Sequence, residues 1–229
     1  MRLRAKTVAV MQPYFFPYLG YFRLFAAVDE FVIFDTVQFP RRGRVHRSHV
    51  GAPTQAPEWL TLPLAYCPAD TLIQDLLFAP DARASFDGRL ARLPWIATAT
   101  GPLAEEIRRF LALPLASVND YLEAGLRLVA DIVDVDVTIV RASSLDVDPS
   151  LRGQASVLAI AKARGATRYV NPPGGRALYS ASAFEESGIE LSFLTPYEGR
   201  FQHLLPALME ESAQAIRHDL IESMALAGA

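Results

Sequence analysis

Two stretches of the chain gather side chains able to do chemistry. Between residues 12 and 50 stand Gln12, Tyr14, Tyr18, Asp35, Gln38, His46 and Arg47; between 171 and 179 stand Asn171, Gly174, Gly175 and Tyr179. Asp35 follows the apolar run "FVIF". A carboxylate at a strand end facing a cavity loses solvation, its pKa rises, and it suits general acid–base work. The same Asp also suits a turn cap on "DTVQFP", because Asp bonds the backbone that follows it. Arg47 sits with Arg41, Arg42 and Arg44 in a local positive patch, and guanidinium forks recognise phosphate or carboxylate. Such a patch also fits a charged strand edge kept from aggregating.

Other residues are read more narrowly. His46 and His49 fall on opposite faces of a strand over 44–50, and His203 and His218 are distant in sequence, so no shared metal site is expected. Cys67 has no adjacent His or helix start to activate it and reads as a buried or edge thiol. Tyr14 and Tyr18, flanked by prolines, can line a pocket with their hydroxyls, while Phe22 and Phe25 belong to the core. "NPPGGR" carries a Gly pair ahead of a helix, so its backbone N–H groups can meet an anion, or it is simply a tight turn. It lacks the Lys-Ser/Thr ending of a phosphate loop, and no cofactor is expected.

Bulk composition narrows the class. The chain has 229 residues, a net charge of −3, 51% hydrophobic and 21% charged residues, which describes an ordinary folded protein. Nothing global draws it to nucleic acid or an anionic membrane. One cysteine excludes an internal disulfide and fits a reducing, cytoplasmic setting. The apolar start is broken by Gln12, Pro13 and Pro17, which argues against a signal peptide, and no window is long enough to span a bilayer.

The elements that must position these residues follow from hydrophobic periodicity. Strands are expected at 7–11, 31–39 and 71–78, a helix at 18–30, and a hairpin from 44–50 and 58–66. Helices follow at 102–113 and 117–133, the second opened by a Ser117 cap. Then strands "VDVTIVRASSL", "TRYVNP" and "IELSFL" alternate with helices "GQASVLAIAKARGA" and "RALYSASAFEESG", and a final helix falls within 203–225. This alternation implies an α/β fold with a mostly parallel or mixed sheet flanked by helices, and a helical middle segment. A single domain over 1–229 is expected, its middle helices (82–134) forming a possible cap. The polar junctions "QPYFFPY", "DTVQFPRRGR" and "NPPGGRALY" all follow strands, where open α/β sheets bind ligands.

The stretches "MQPYFFPYLGYF", "DEFVIFDTVQF", "RSHV" and "EWLTLPL" resemble the amino-terminal signature of the WbqC-like proteins. "GATRYVNPPGGRALYSASAFEESGIELSFL" resembles that family's second block, and "RFQHLLPALMEESAQAIRHDL" more weakly its carboxyl-terminal helix. The likeness runs over nearly the whole chain. It implies a place in bacterial pathways for O-antigen, other surface polysaccharides or specialised metabolites, with acyl or aminoacyl transfer from a carrier-bound thioester as the suggested activity. The matched positions are Gln12, Pro13, Pro17, Gly20, Asp29, Asp35, Gln38, Arg47, Asn171, Pro172, Gly175 and Tyr179. The chain departs from the pattern at Arg44, His46 and Ser48, and where an Asp is usual it reads Leu205-Pro206-Ala207-Leu208.

The resulting expectation is an enzyme taking a small-molecule substrate, with an acyl carrier protein as a further partner. Asp35 deprotonates the acceptor, Arg47 holds an anionic group, Gln12 and Asn171 orient polar atoms, and Gly174 and Gly175 donate N–H groups to an oxyanion. Tyr14, Tyr18 and Tyr179 shape the pocket, with Gln38 and His46 beside it. The alternatives are a non-catalytic binding protein and a sugar-nucleotide lyase or isomerase using Asp35 and His46.

Overall fold

The computed structural model describes residues 5–50, 58–224 and 226–228. Its centre is a six-stranded sheet in the order β5-β2-β1-β6-β7-β8. The strands are β1 (Thr7–Met11), β2 (Glu30–Ile33), β5 (Thr138–Arg141), β6 (Arg168–Asn171), β7 (Glu190–Leu194) and β8 (Leu226–Gly228). The first five are mutually parallel, and β8 adds an antiparallel edge against β7. Apolar runs with no alternation, such as the "FVI" of β2, are what a strand covered on both faces requires.

Helices cover both faces. On one side, α1 (Leu19–Ala27), α5 (Val118–Ile132), α8 (Leu204–Glu210) and α9 (Ala213–Glu222) pack on Ala9, Phe31, Ile33, Val170 and Leu194. The other side is closed by α6 (Gly153–Ala163) and α7 (Ala181–Glu186), over Val8, Val10, Val32, Tyr169 and Phe193. Side chains of one strand thus alternate between two cores, as the period of two demands. The middle helices α2 (Ala82–Leu90), α3 (Pro94–Thr98) and α4 (Ala104–Leu111) bury Phe86, Ile96, Ile107 and Phe110 in the first core. They share one apolar cluster with α1. A small antiparallel hairpin, β3 (Arg47–His49) with β4 (Trp59–Thr61), projects from the long excursion between β2 and β5.

Three local expectations need correction. β2 ends at Ile33, so Asp35 lies beyond the strand. The segment 71–78 is a 3₁₀ turn (Ile73–Asp75) flanked by single bridges, Gln38 to Leu72 and Leu64 to Phe78, because Asn119 takes the Gln74 carbonyl a sheet partner would need. The final helix is two, broken where Ser212 caps α9 by accepting from the Ala215 N–H. Ser117 likewise caps α5 through the Asp120 N–H, as its sequence predicts. No helix among the described residues is long and apolar enough to cross a membrane.

Candidate functional site

The strand order reverses direction at one point of the sheet. From β1 the chain moves outward to β2 and β5, then returns across the sheet to β6 and continues to β7. The direction reverses between β1 and β6. Two loops leave the sheet there in opposite senses and open a crevice beyond the strands' carboxyl ends. A cavity of about 430 Å³ lies at that point, a volume suited to a small metabolite.

Gln12 and Tyr14 reach this cavity from the loop after β1, and Asn171, Gly174, Gly175 and Tyr179 from the loop after β6. Val10, Met11, Phe34, Val157 and Leu178 supply its apolar surface. Asn171 is buried, 4% exposed, and locked in place: its Oδ1 accepts from the Tyr169 hydroxyl at 3.1 Å. Tyr169 is itself held by a stacked Phe184 and by the Val10 carbonyl. Gly175 is required by close approach, since a Cβ there would stand 1.7 Å from the Asn171 Nδ2. Nothing crowds Gly174 in the same way.

The polar lining is electrically neutral. Burial raises the phenols of Tyr14 and Tyr179, so both stay protonated donors at neutral pH. The Gln12 carboxamide makes no hydrogen bond among the described residues, while its backbone carbonyl accepts from Tyr21 at 2.8 Å. The Gly175 N–H is already given to the Pro172 carbonyl at 3.0 Å, so the expected pair of oxyanion donors reduces to Gly174. Gln154 was not singled out in the sequence. It lines the cavity from the first turn of α6, and its Oε1 accepts from the Ser180 N–H at 2.6 Å. A polar residue opening a helix after the third parallel strand was the available signal.

The remaining expected residues stand outside the cavity. Asp35 is 1% exposed and its carboxylate is engaged by Ser143, from the N–H at 2.9 Å and the hydroxyl at 2.5 Å. It ties the end of β2 to the turn after β5 (Ala142–Ser144), beside a smaller cavity of about 230 Å³. Arg47 curls back on its own loop, donating Nε to the Gly43 carbonyl and Nη2 to the Arg42 carbonyl, and covers Trp59 at 4.5 Å. No ion pair joins Asp35 to Arg47 among the described residues. Gln38 holds the Ala69 carbonyl at 2.7 Å, and Tyr18 packs on Tyr197 at 5.8 Å. His46 packs edge-on against Phe39 and leaves its Nδ1 buried without a partner, and burial with the charges of Arg47 and Arg89 lowers its pKa to about 4.

The fold is that of a doubly wound α/β protein of Rossmann-type strand order, with a neutral cavity lined by carboxamides and phenols at the switch point. The chain matches the WbqC-like protein family over residues 12–206, and it belongs to that family. It is also similar to the uncharacterized protein Rv1507c of Mycobacterium tuberculosis, 39% identical over 59 residues, which is 26% of this chain and 25% of that protein. The likeness therefore spans only about a quarter of the relative's length. No solved structure matches the chain.

Proposed function

We propose that this protein is a biosynthetic transferase of surface-polysaccharide or specialised metabolism. In this reading it moves an acyl or aminoacyl group from a carrier-bound thioester to an amino or hydroxyl acceptor. The observation that carries the reading is the cavity at the β1/β6 switch point, lined by Gln12, Tyr14, Asn171, Gly174 and Tyr179 without a carboxylate, imidazole or thiol. A thioester is already activated, so its aminolysis needs alignment and a donor for the carbonyl oxygen more than a strong base or nucleophile.

With an amine acceptor, its lone pair attacks the thioester carbonyl, the C–N bond forms, and the C–S bond breaks. The proton lost by nitrogen ends on the departing thiolate. Gly174 N–H and the Asn171 carboxamide donate toward the carbonyl oxygen, Gln12 orients the acceptor, and the phenols of Tyr14 and Tyr179 bridge the proton's path. Asp35 serves as a positioning residue that ties the end of β2 to the turn after β5, in place of the base its sequence suggests, and Arg47 acts outside the cavity.

A non-catalytic binding role is the second reading, favoured by the absence of any group in the cavity lining that titrates near neutral pH. The lyase or isomerase reading has less support, because Asp35 and His46 do not line the cavity. Incubation with acyl-loaded carrier proteins and amino sugars, followed by intact mass, separates the first two. Transfer is expected with the wild type and at least a hundredfold slower with Asn171→Ala. Absence of acyl loss from every carrier, where a control transferase reacts, leaves the binding role.

A further inference from the structure

The hairpin carries a cluster of basic and aromatic side chains that the cavity does not use. Arg44 and Arg47 both lie over the Trp59 indole, at 5.7 and 4.5 Å from its centre. His49 meets the same ring edge-on at 5.1 Å, and its Nδ1 is 3.1 Å from the Nδ1 of His203, just before α8. Two guanidinium groups and two imidazoles are thus gathered with no Asp or Glu paired to any of them among the described residues. The segment 51–57 between the strands, "GAPTQAP", contains no acid in its sequence. Arg44 is exposed and donates no side-chain hydrogen bond among the described residues.

This cluster is fastened to the cavity. The Arg44 carbonyl accepts from the Phe15 N–H at 3.1 Å, next to Tyr14, which lines the cavity wall. The Arg44 charge is felt by both neighbouring phenols: burial raises Tyr14 and Tyr18, and Arg44 partly offsets it. It also adds to burial in holding His49 and His203 below the usual imidazole range, so both are neutral and poised to gain from an anion.

Like charges brought together without a counter-ion repel, and an anion arriving there is held by several donors at once. The free donors are those of Arg44, the Arg47 Nη1 and one imidazole N–H, the other being spent between the two Nδ1 atoms. Together they exceed what the two oxygens of a carboxylate can use and suit the three or more oxygens of a phosphate. We propose that Arg44, Arg47, Trp59, His49 and His203 form a phosphate subsite, which takes a phosphate ester of the molecule whose acyl end occupies the cavity. The substrate identity rests on the acyl-transfer reading; the phosphate subsite stands on its own geometry.

The test has two arms, both on the full chain. In the first, inorganic phosphate is titrated while the imidazole signals of all four histidines are followed by NMR. Saturable shifts are expected at His49 and His203, with His218 unmoved, and Arg44→Gln weakens the binding at least tenfold. Arg47→Lys, which keeps the charge, weakens it less. No saturable shift, equal shifts from acetate at matched ionic strength, or unchanged affinity in Arg44→Gln overturns the subsite. The second arm compares phosphopantetheine with pantetheine. The wild type is expected to prefer the phosphorylated compound at least tenfold and Arg44→Gln to show no preference. If a sugar phosphate shows that Arg44-dependent gain and phosphopantetheine does not, the phosphate belongs to the acceptor and the subsite stands. If no phosphate ester gains over its parent, the subsite is rejected even where pantetheine fills the cavity. If phosphate binds but pantetheine does not, the acyl-transfer reading fails and the subsite remains.

Discussion

At the amino ends of β1 and β2, the described charges Lys6, Asp29 and Glu30 each have a close partner. Glu30 is 3% exposed and holds Lys6 at 3.0 Å and Arg164 at 2.5 and 2.9 Å, while Asp29 accepts from the Thr7 N–H at 2.8 Å. At the carboxyl ends of β1 and β6, the Gln12 carboxamide has no protein partner and two arginines lean on one indole without an ion pair, among the described residues. A closed ionic network makes one end rigid and gives a ligand nothing to bind. The open end leaves hydrogen-bonding capacity unspent. The contrast teaches that paired and unspent polar groups are divided between opposite edges of the same strands, the arrangement that the proposed binding role requires.

The sharpest way to break this contrast is to open the closed end. Glu30→Ala leaves Lys6 and Arg164 without their carboxylate and is expected to cost roughly 3 kcal/mol, by denaturant unfolding, with ligand binding unchanged. Burial raises the Glu30 carboxyl, but the bonds from Arg164 and Lys6 outweigh it, and the group lies below its usual range. Its stabilisation is therefore present above the unfolded carboxyl value and lost as pH falls through the folded one. Wild type should lose more stability on acidification than Glu30→Ala. If both fall in parallel, the network is not what secures that edge.

Ser143→Ala comes next. It removes a charge-assisted bond to the buried Asp35 and is expected to cost about 2 kcal/mol. An effect on binding larger than on stability would return Asp35 to the chemistry. A smaller effect follows from His46. Its folded pKa of about 4 lies below the unfolded 6.5, so its neutral form contributes stability that is lost as pH falls from 6.5 toward 4. His46→Asn should flatten that part of the stability–pH curve. Smallest of all, Gly174→Ala meets no neighbour and should change stability by less than about 0.5 kcal/mol.

Most of the sheet was legible because parallel strands buried on both faces read as short apolar runs, as at 7–11 and 168–171. The loops after β1 and β6 were legible as polar junctions, since Gln12-Pro13 and Asn171-Pro172 follow those runs directly, and both line one cavity. What sequence could not supply was the partner of each polar group. Asp35 looks identical whether it faces a substrate or Ser143, 108 positions away. Arg47 reads as a wholly free fork until its Nε and Nη2 are found on the Gly43 and Arg42 carbonyls. The His49–His203 contact joins residues 154 positions apart and has no local signature. Segment 71–78 failed for a similar reason, because Asn119, 45 positions away, takes the Gln74 carbonyl.

The most direct measurement is the affinity for an acyl-pantetheine, by calorimetry, in the wild type, Gly175→Ala, Gly174→Ala and Asp35→Asn. Pocketing of the acyl end between the β1 and β6 loops predicts at least a tenfold loss in Gly175→Ala alone, where the added methyl displaces Asn171. Equal affinity in Gly175→Ala and wild type, or a loss confined to Asp35→Asn, would contradict it.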